Sequence, residues 1–162
     1  MTIRNWKPGD ADAIREIYQH GIDTGNATFE TVVPEWKKID EKFLHHSRLI
    51  ADDNGVVLGW AALAPVSARE CYNGVAEVTI YVHKNHQGKG IGKLLLKALI
   101  EESENNATWS LLSVIHEENR ASIHLHEQCG FRVIGYRERI AQLHGTWRTT
   151  IMMERRSKLI GV

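Results

Sequence analysis

EVTIYVHKNHQGKGIGK, residues 77 to 93, decides how the rest of the chain is read. From Glu77 to Val82, polar residues alternate with β-branched and aromatic ones, which predicts a strand with two unlike faces. From Leu94 the apolar positions fall at Leu94, Leu95, Ala98 and Leu99, which is helical spacing. Between them lie Gly88, Gly90 and Gly92, interleaved with Lys89 and Lys93. Glycines let a backbone approach a ligand closely, and consecutive N–H groups at a helix start form an anion site. The segment therefore predicts a pyrophosphate cradle between a strand and a helix. Two common cradles do not fit. The Gly88 to Lys93 spacing is too short for a Walker loop, and Leu94 stands where Ser or Thr is required. A dinucleotide fingerprint opened by Gly88 and Gly90 needs its third glycine at position 93, where this chain has Lys93.

Outward from this stretch, the 162 residues suit one domain with a single core. Basic and acidic residues balance at 20 each, so no extended nucleic-acid or membrane surface is expected, and the Lys84, Lys89, Lys93 group is local. No apolar run approaches the roughly 20 residues of a membrane span, and no signal-peptide pattern opens the sequence. Cys71 and Cys129 are too few and too distant for a disulfide framework or a metal knuckle, so a reduced cytoplasm is expected. The SKL at 157–159 is internal and is no peroxisomal address.

Ile3 to Trp6 is expected to open the fold as a strand, with Asp10 capping a helix through Ile14, Ile17 and Tyr18. Residues 21–35 lack a period but carry Phe29, Val32 and Val33, as loops over ligand sites or over a core do. Trp36 to His46 is read as a helix whose His45-His46 end is solvated. Arg48–Asp52 and Val56–Ala64 form a hairpin around Asp53-Asn54-Gly55. Pro65 ends it, and a loop at 66–74 holds Arg69 and Tyr72. After the central strand and helix come a strand at Trp109–Ile115 and a helix at Ala121–Cys129, preceded by Asn119 and closed by Gly130. Strands at Phe131–Tyr136 and Thr146–Met153 follow, joined through His144-Gly145. The predicted order is β-α-α-β-β-β-α-β-α-β-β, with no repeat and no linker.

Gln87-Gly88-Lys89-Gly90-Ile91-Gly92 resembles the Gln/Arg-x-x-Gly-x-Gly/Ala element of the GCN5-related N-acetyltransferases (GNAT). AEVTIYV at 76–82, NRASIHLHEQCGF at 119–131, HGTW at 144–147 and the NATFETVVPEW loop narrow the similarity to phosphinothricin and methionine sulfoximine/sulfone N-acetyltransferases. The resemblance implies a mixed α/β acyl-CoA N-acyltransferase fold, with a central, mostly antiparallel sheet flanked by helices. It implies acetyl-CoA as donor, no metal, a small amino-acid-like acceptor and a homodimer. The backbone of Ile80, Tyr81 and Val82 would pair with the pantetheine arm. The segment from Gln87 through Gly88, Lys89, Gly90, Ile91 and Gly92 to Lys93 would hold the pyrophosphate. Asn119 would bond the pantetheine arm as well as capping its helix.

For chemistry, an amine must lose a proton to attack a thioester. Glu77 is the expected general base, on a strand whose apolar neighbours make a carboxylate a better proton acceptor than it is in water. By resemblance His144 lies near the same site, assisting proton removal or orienting substrate; a turn histidine bonded to backbone is the competing reading. Many superfamily members place a tyrosine where this chain has His126, so His126 either protonates the departing thiolate or leaves that step unassisted. Tyr81 and Tyr136 are other candidate donors. His124 and His126, two apart on a helix, diverge too far for a metal pair. Arg69 and Tyr72 align with residues that hold the acceptor's polar groups, where a guanidinium suits a carboxylate. Phe29 and Glu30 would close the pocket, across a dimer interface in one arrangement. A polyamine, aminoglycoside or protein N-terminus as acceptor, or a non-catalytic acyl-CoA sensor, are the other readings. Carboxylate-rich pockets suit the cationic acceptors, and Glu77 beside an intact cradle argues against the sensor.

Overall fold

The computed structural model describes residues 1–162. The elements run β1 (Thr2–Asn5), α1 (Ala11–Asp23), α2 (Trp36–Lys42), β2 (Leu49–Asp53), β3 (Val56–Pro65), β4 (Val75–Val82), α3 (Ile91–Asn105), β5 (Ser110–His116), α4 (Arg120–Gln128), β6 (Arg132–Leu143) and β7 (Thr146–Arg156). The order is the predicted one. All seven strands form one sheet in the order β1-β2-β3-β4-β5-β7-β6. Every pairing is antiparallel except β4 with β5, which the α3 crossover makes parallel.

Helices cover both faces. The apolar stripe Ile14, Ile17, Tyr18, Ile22 seats α1 on one face, with Ile39 of α2 and the β3 tryptophan Trp60. Leu95, Leu96 and Leu99 seat α3 on the other, against Leu63, Val78 and Leu111. Each of these buried leucines contributes roughly 1.5–3 kcal/mol. Covered on both faces, β3 reads as a continuous apolar run from Leu58 to Ala64. At the Asp53–Val56 hairpin, Asn54 and Gly55 both take positive φ (53° and 88°), as a two-residue turn demands.

Three local expectations change. Asp10 sits before α1 but does not cap it. Its carboxylate turns back to accept from the Arg4 guanidinium (2.8 and 2.9 Å) and the Lys7 amide (2.6 Å). The second helix stops at Lys42, not His46. Phe43 becomes extended to enter the core, and the Arg48 guanidinium takes up the carbonyls of Asp40, Phe43 and Leu44. The His45-His46 pair therefore lies in a loop, where His46 Nδ1 meets Ser47 Oγ at 2.7 Å and burial lowers its pKa. Finally, β6 continues to Leu143, well past Tyr136, through an irregularity between Arg137 and Ala141 where Arg139 has φ 48°.

Candidate active site

The parallel pairing of β4 with β5 lasts only from Val75–Ser110 to Glu77–Leu112. Beyond Glu77 the two strands part, so Val78 to Val82 keep β3 on one side and lose a strand partner on the other. The unpaired edge runs toward the glycine loop and the start of α3. Gly90 has φ 78° and Gly88 φ 74°, with open space where a side chain would sit, so it is the backbone conformation that selects glycine there. Gly92 has ordinary φ but packs against Leu125 of α4; an added Cβ would stand 3.3 Å from it. The first intrahelical bond reaches back from Leu94 N to Gly90 O, leaving the amides of Ile91, Gly92 and Lys93 free for an anion.

Two adjoining cavities follow this edge. One, of about 640 Å³, is lined by Ile80, Tyr81, Val82, Gln87, Gly88, Gly90, Ile91, Gly92, Lys93 and Asn119. The other, of about 270 Å³, continues to Glu77 and is lined also by Tyr18, Phe29, Glu30, Ser113, His116, Asn119, His126 and Thr150. Glu77 is half-buried in its wall at the point where the strands part. Asn119 caps α4, its Oδ1 accepting from Ser122 N (3.3 Å), while its Nδ2 donates to Asn26 O (3.2 Å).

Tyr81 stacks on Tyr18 (ring centroids 5.0 Å apart), and burial pushes the pKa of both phenols upward, so both stay protonated at neutral pH. His126 is fully enclosed. Its Nδ1–H donates to Ser122 O (2.7 Å), which leaves Nε2 to accept from Ser113 Oγ (3.0 Å), and burial lowers its pKa. Its one proton in that neutral state is committed to α4 backbone.

The structure thus brings Glu77, Phe29, Glu30, Asn119, His126 and most of the cradle onto one continuous cleft. It leaves others outside. Lys89 reaches back to Asn85 O (3.3 Å) on the surface. His144 sits exposed at the β6–β7 turn with φ 50°. Arg69 and Tyr72 lie exposed in the 66–74 loop, the guanidinium 5.5 Å over the phenol ring, and neither lines the cleft. Tyr136 is exposed on β6.

Several cleft residues are absent from the expectations above. Arg148 of β7 binds Gly25 O (2.8 Å), Asn26 Oδ1 (2.7 Å) and Glu118 Oε2 (2.9 Å), fastening the 24–30 loop over the cavity. His116 and Thr150 face the same cavity from β5 and β7. Away from it, Glu16, His20 and His83 cluster, with carboxylate–imidazole distances of 3.9 and 3.8 Å. There each imidazole Nδ1 accepts a backbone N–H, from Lys84 and Asn85, so in the neutral rings Nε2 carries the proton and is closed to a cation.

A strand parted from its parallel neighbour, beside a glycine-rich helix start, defines an acyltransferase of the GNAT class, and residues 12–131 match the Acetyltransferase (GNAT) family. The chain belongs to that family and is an N-acetyltransferase. It is 31% identical to the L-amino acid N-acyltransferase MnaT of Escherichia coli, over 95% of this chain and 92% of that protein. It is 32% identical to the L-methionine sulfoximine/L-methionine sulfone acetyltransferase of Salmonella typhimurium, over 95% and 93%. Among solved structures it resembles a GNAT superfamily phosphinothricin acetyltransferase from Sinorhizobium meliloti in complex with acetyl-CoA. The TM-score is 0.88 and the identity 30%, covering 96% of this chain and 87% of that one.

Proposed function

We propose that this enzyme transfers the acetyl group of acetyl-CoA to the amine of a small amino acid or analogue of the methionine sulfoximine, methionine sulfone or phosphinothricin type. The observation that carries the reading is the unpaired edge of β4, which starts at Glu77 and ends at the α3 cradle. Pantetheine lies along Ile80 to Val82 as an added strand, and Asn119 meets its amides. The pyrophosphate rests on the amides of Gly88 to Lys93, where the helix dipole and Lys93 favour negative charge. The thioester then comes to lie near Glu77.

Glu77 takes a proton from the acceptor's ammonium, directly or through water, and the free amine attacks the thioester carbonyl. The tetrahedral intermediate passes the nitrogen's second proton, directly or through water, to the departing CoA sulfur and collapses to amide and CoA thiol. His126 serves by holding the Ser113 hydroxyl in the cleft wall, since its own proton is engaged with Ser122 O. Phe29 and Glu30 close the acceptor end. Arg69, on the loop that runs directly into β4, meets the acceptor's carboxylate when that loop folds inward. His144 would join the site only by a comparable movement or from a second copy of the chain. A homodimer through the β6–β7 edge fits the exposed Val133, Ile134, Tyr136, Ile140 and Trp147 there. No helix is long and apolar enough to cross a membrane. The free thiols of Cys71 and Cys129 suit a reducing compartment such as the cytoplasm.

The test is thiol release from acetyl-CoA with methionine sulfoximine, methionine sulfone, phosphinothricin, spermidine and an aminoglycoside. Turnover with the first three alone supports the reading. Turnover only with the cationic amines would keep the donor site and overturn the acceptor. CoA binding without any turnover across the panel would overturn the assigned acceptors altogether.

A further inference from the structure

Two side-chain polar atoms in the protein are buried without a hydrogen-bond partner, His116 Nδ1 and Thr150 Oγ1. Both line the cavity that contains Glu77. The residues are 4% and 2% exposed, so solvent does not satisfy them. They are also register partners, His116 at the end of β5 opposite Thr150 of β7. Their side chains leave the sheet on the face that carries Glu77. Glu77 pairs with Leu112, alternation carries that face from Leu112 to His116, and the register carries it on to Thr150. Phe29 closes over the imidazole edge-on, with ring centroids 4.6 Å apart.

An unsatisfied buried polar atom ordinarily costs about 1–3 kcal/mol, and two of them side by side in a cavity wall call for a ligand. The tautomer limits which ligand. Nδ1 has no hydrogen-bond partner, and the Thr28 backbone raises the pKa of the imidazole, as a carbonyl beside a ring N–H does. Burial is the larger influence and lowers the pKa, which favours the neutral ring, and we assign its proton to Nε2, leaving the unpartnered Nδ1 as the acceptor. Nδ1 therefore presents a lone pair to the cavity, beside a hydroxyl that can accept as well. A hydrogen-bond donor with more than one N–H satisfies both.

We propose that His116 Nδ1 and Thr150 Oγ1 seat the amino group of the acceptor, each accepting one of its N–H bonds, on the sheet face from which Glu77 projects. This rests on the amino-acid acceptor reading above and adds the residues that hold the reacting nitrogen before its proton leaves. The pair acts by binding and orienting; no proton moves to His116.

The test combines an isosteric substitution with a direct reading of the imidazole. Thr150→Val replaces the hydroxyl by a methyl of similar size, and the fold should hold or gain stability because an unsatisfied group is lost. The acceptor KM should rise about three- to tenfold, as for one lost hydrogen bond, with the acetyl-CoA KM unchanged. In the CoA-loaded wild-type protein, the ¹⁵N resonance of His116 Nδ1 should move on adding methionine sulfone. It should not move with the deaminated analogue, 4-(methylsulfonyl)butanoate. Equal shifts with both compounds would overturn the amine assignment. No shift together with unchanged kinetics in Thr150→Val would overturn the site and leave an internal water as the partner of both atoms. If the wild-type protein acetylates no amino acid in the panel yet shows the amine-dependent shift, the seat stands and the proposed reaction falls.

Discussion

Replacing Arg148 by Met tests whether closure of the 24–30 loop is what makes the acceptor cavity. The substitution keeps most of the aliphatic stem, which matters because the Arg148 side chain is only 13% exposed, and removes every donor. Two of those donors reach the loop itself, at Gly25 O and Asn26 Oδ1, and two reach Glu118 Oε2 at 2.9 and 3.3 Å. The loop bonds are made by a cation in a partly buried setting and contribute about 1 kcal/mol or somewhat more each. The Glu118 carboxylate is 54% exposed, so its pair adds no more than about 0.5 kcal/mol. The two loop bonds are thus worth about 2–2.5 kcal/mol together, which is about 30- to 60-fold in the closure equilibrium. The Asn119 bond to Asn26 O survives the change and keeps the loop from detaching entirely.

Arg148→Met should therefore raise the acceptor KM at least about tenfold, the part of that equilibrium expressed once residual closure is counted. The acetyl-CoA KM should move little, since the cradle is made by α3. Backbone amides at 25–30 should exchange hydrogen faster by up to about 60-fold while those of β3 are unaffected. Glu118→Gln, which breaks only the exposed pair, should stay within about threefold of wild type in acceptor KM. An unchanged acceptor KM in Arg148→Met together with unchanged exchange across 25–30 would refute the clamp.

Three further perturbations address other parts of the site and fold. Glu77→Gln should lower kcat about 100-fold or more, as loss of a general base does, with the acetyl-CoA KM preserved; undiminished kcat would remove Glu77 from that role. Gly21→Ala would place a Cβ 2.3 Å from the Tyr81 ring, which Tyr18 and Trp60 (5.0 and 5.2 Å between centroids) keep from retreating. About 1–3 kcal/mol of stability should be lost, with a fall in kcat/KM because Tyr81 lines both cavities, and a melting temperature equal to wild type would refute this packing. Asp10→Asn should cost about 2–3 kcal/mol at pH 7 in urea unfolding, less than for a fully isolated buried pair because Arg4 keeps Asp52. Its bond to Arg4 first, and to Lys7 N, holds the Asp10 carboxyl below its ordinary range. The stabilisation is therefore full above pH 4 and is lost as pH falls through the folded value, so the wild-type advantage should shrink toward pH 2–3. A constant difference across that range would contradict the assignment.

How far the sequence discloses this site follows from how far each part depends on neighbours in the chain. The cradle is local: Gly88 and Gly90 are needed because the backbone there has positive φ, and that requirement is written in the residues themselves. Asn119 is equally legible, since a cap lies next to its helix. His116 is not. Its neighbours Glu117 and Glu118 make it look like part of a polar turn, and only the pairing of β5 with β7 turns it into a buried side chain opposite Thr150, 34 residues away in sequence. Arg148 is hidden for the same reason, as one basic residue in a strand, since the loop groups it binds, Gly25 O and Asn26 Oδ1, lie more than 120 residues earlier. Asp10 shows the converse error: a residue in the right place for a cap is drawn off by the stronger acceptor demand of Arg4, a contact no helix-start rule contains. Donor binding is thus encoded by a contiguous motif and is readable on sight. The proposed acceptor pocket is assembled from loop, β5 and β7, whose residues become neighbours only when the sheet forms. In this chain, then, Thr150 and His116, more than the glycine loop, are where a change of acceptor should first appear.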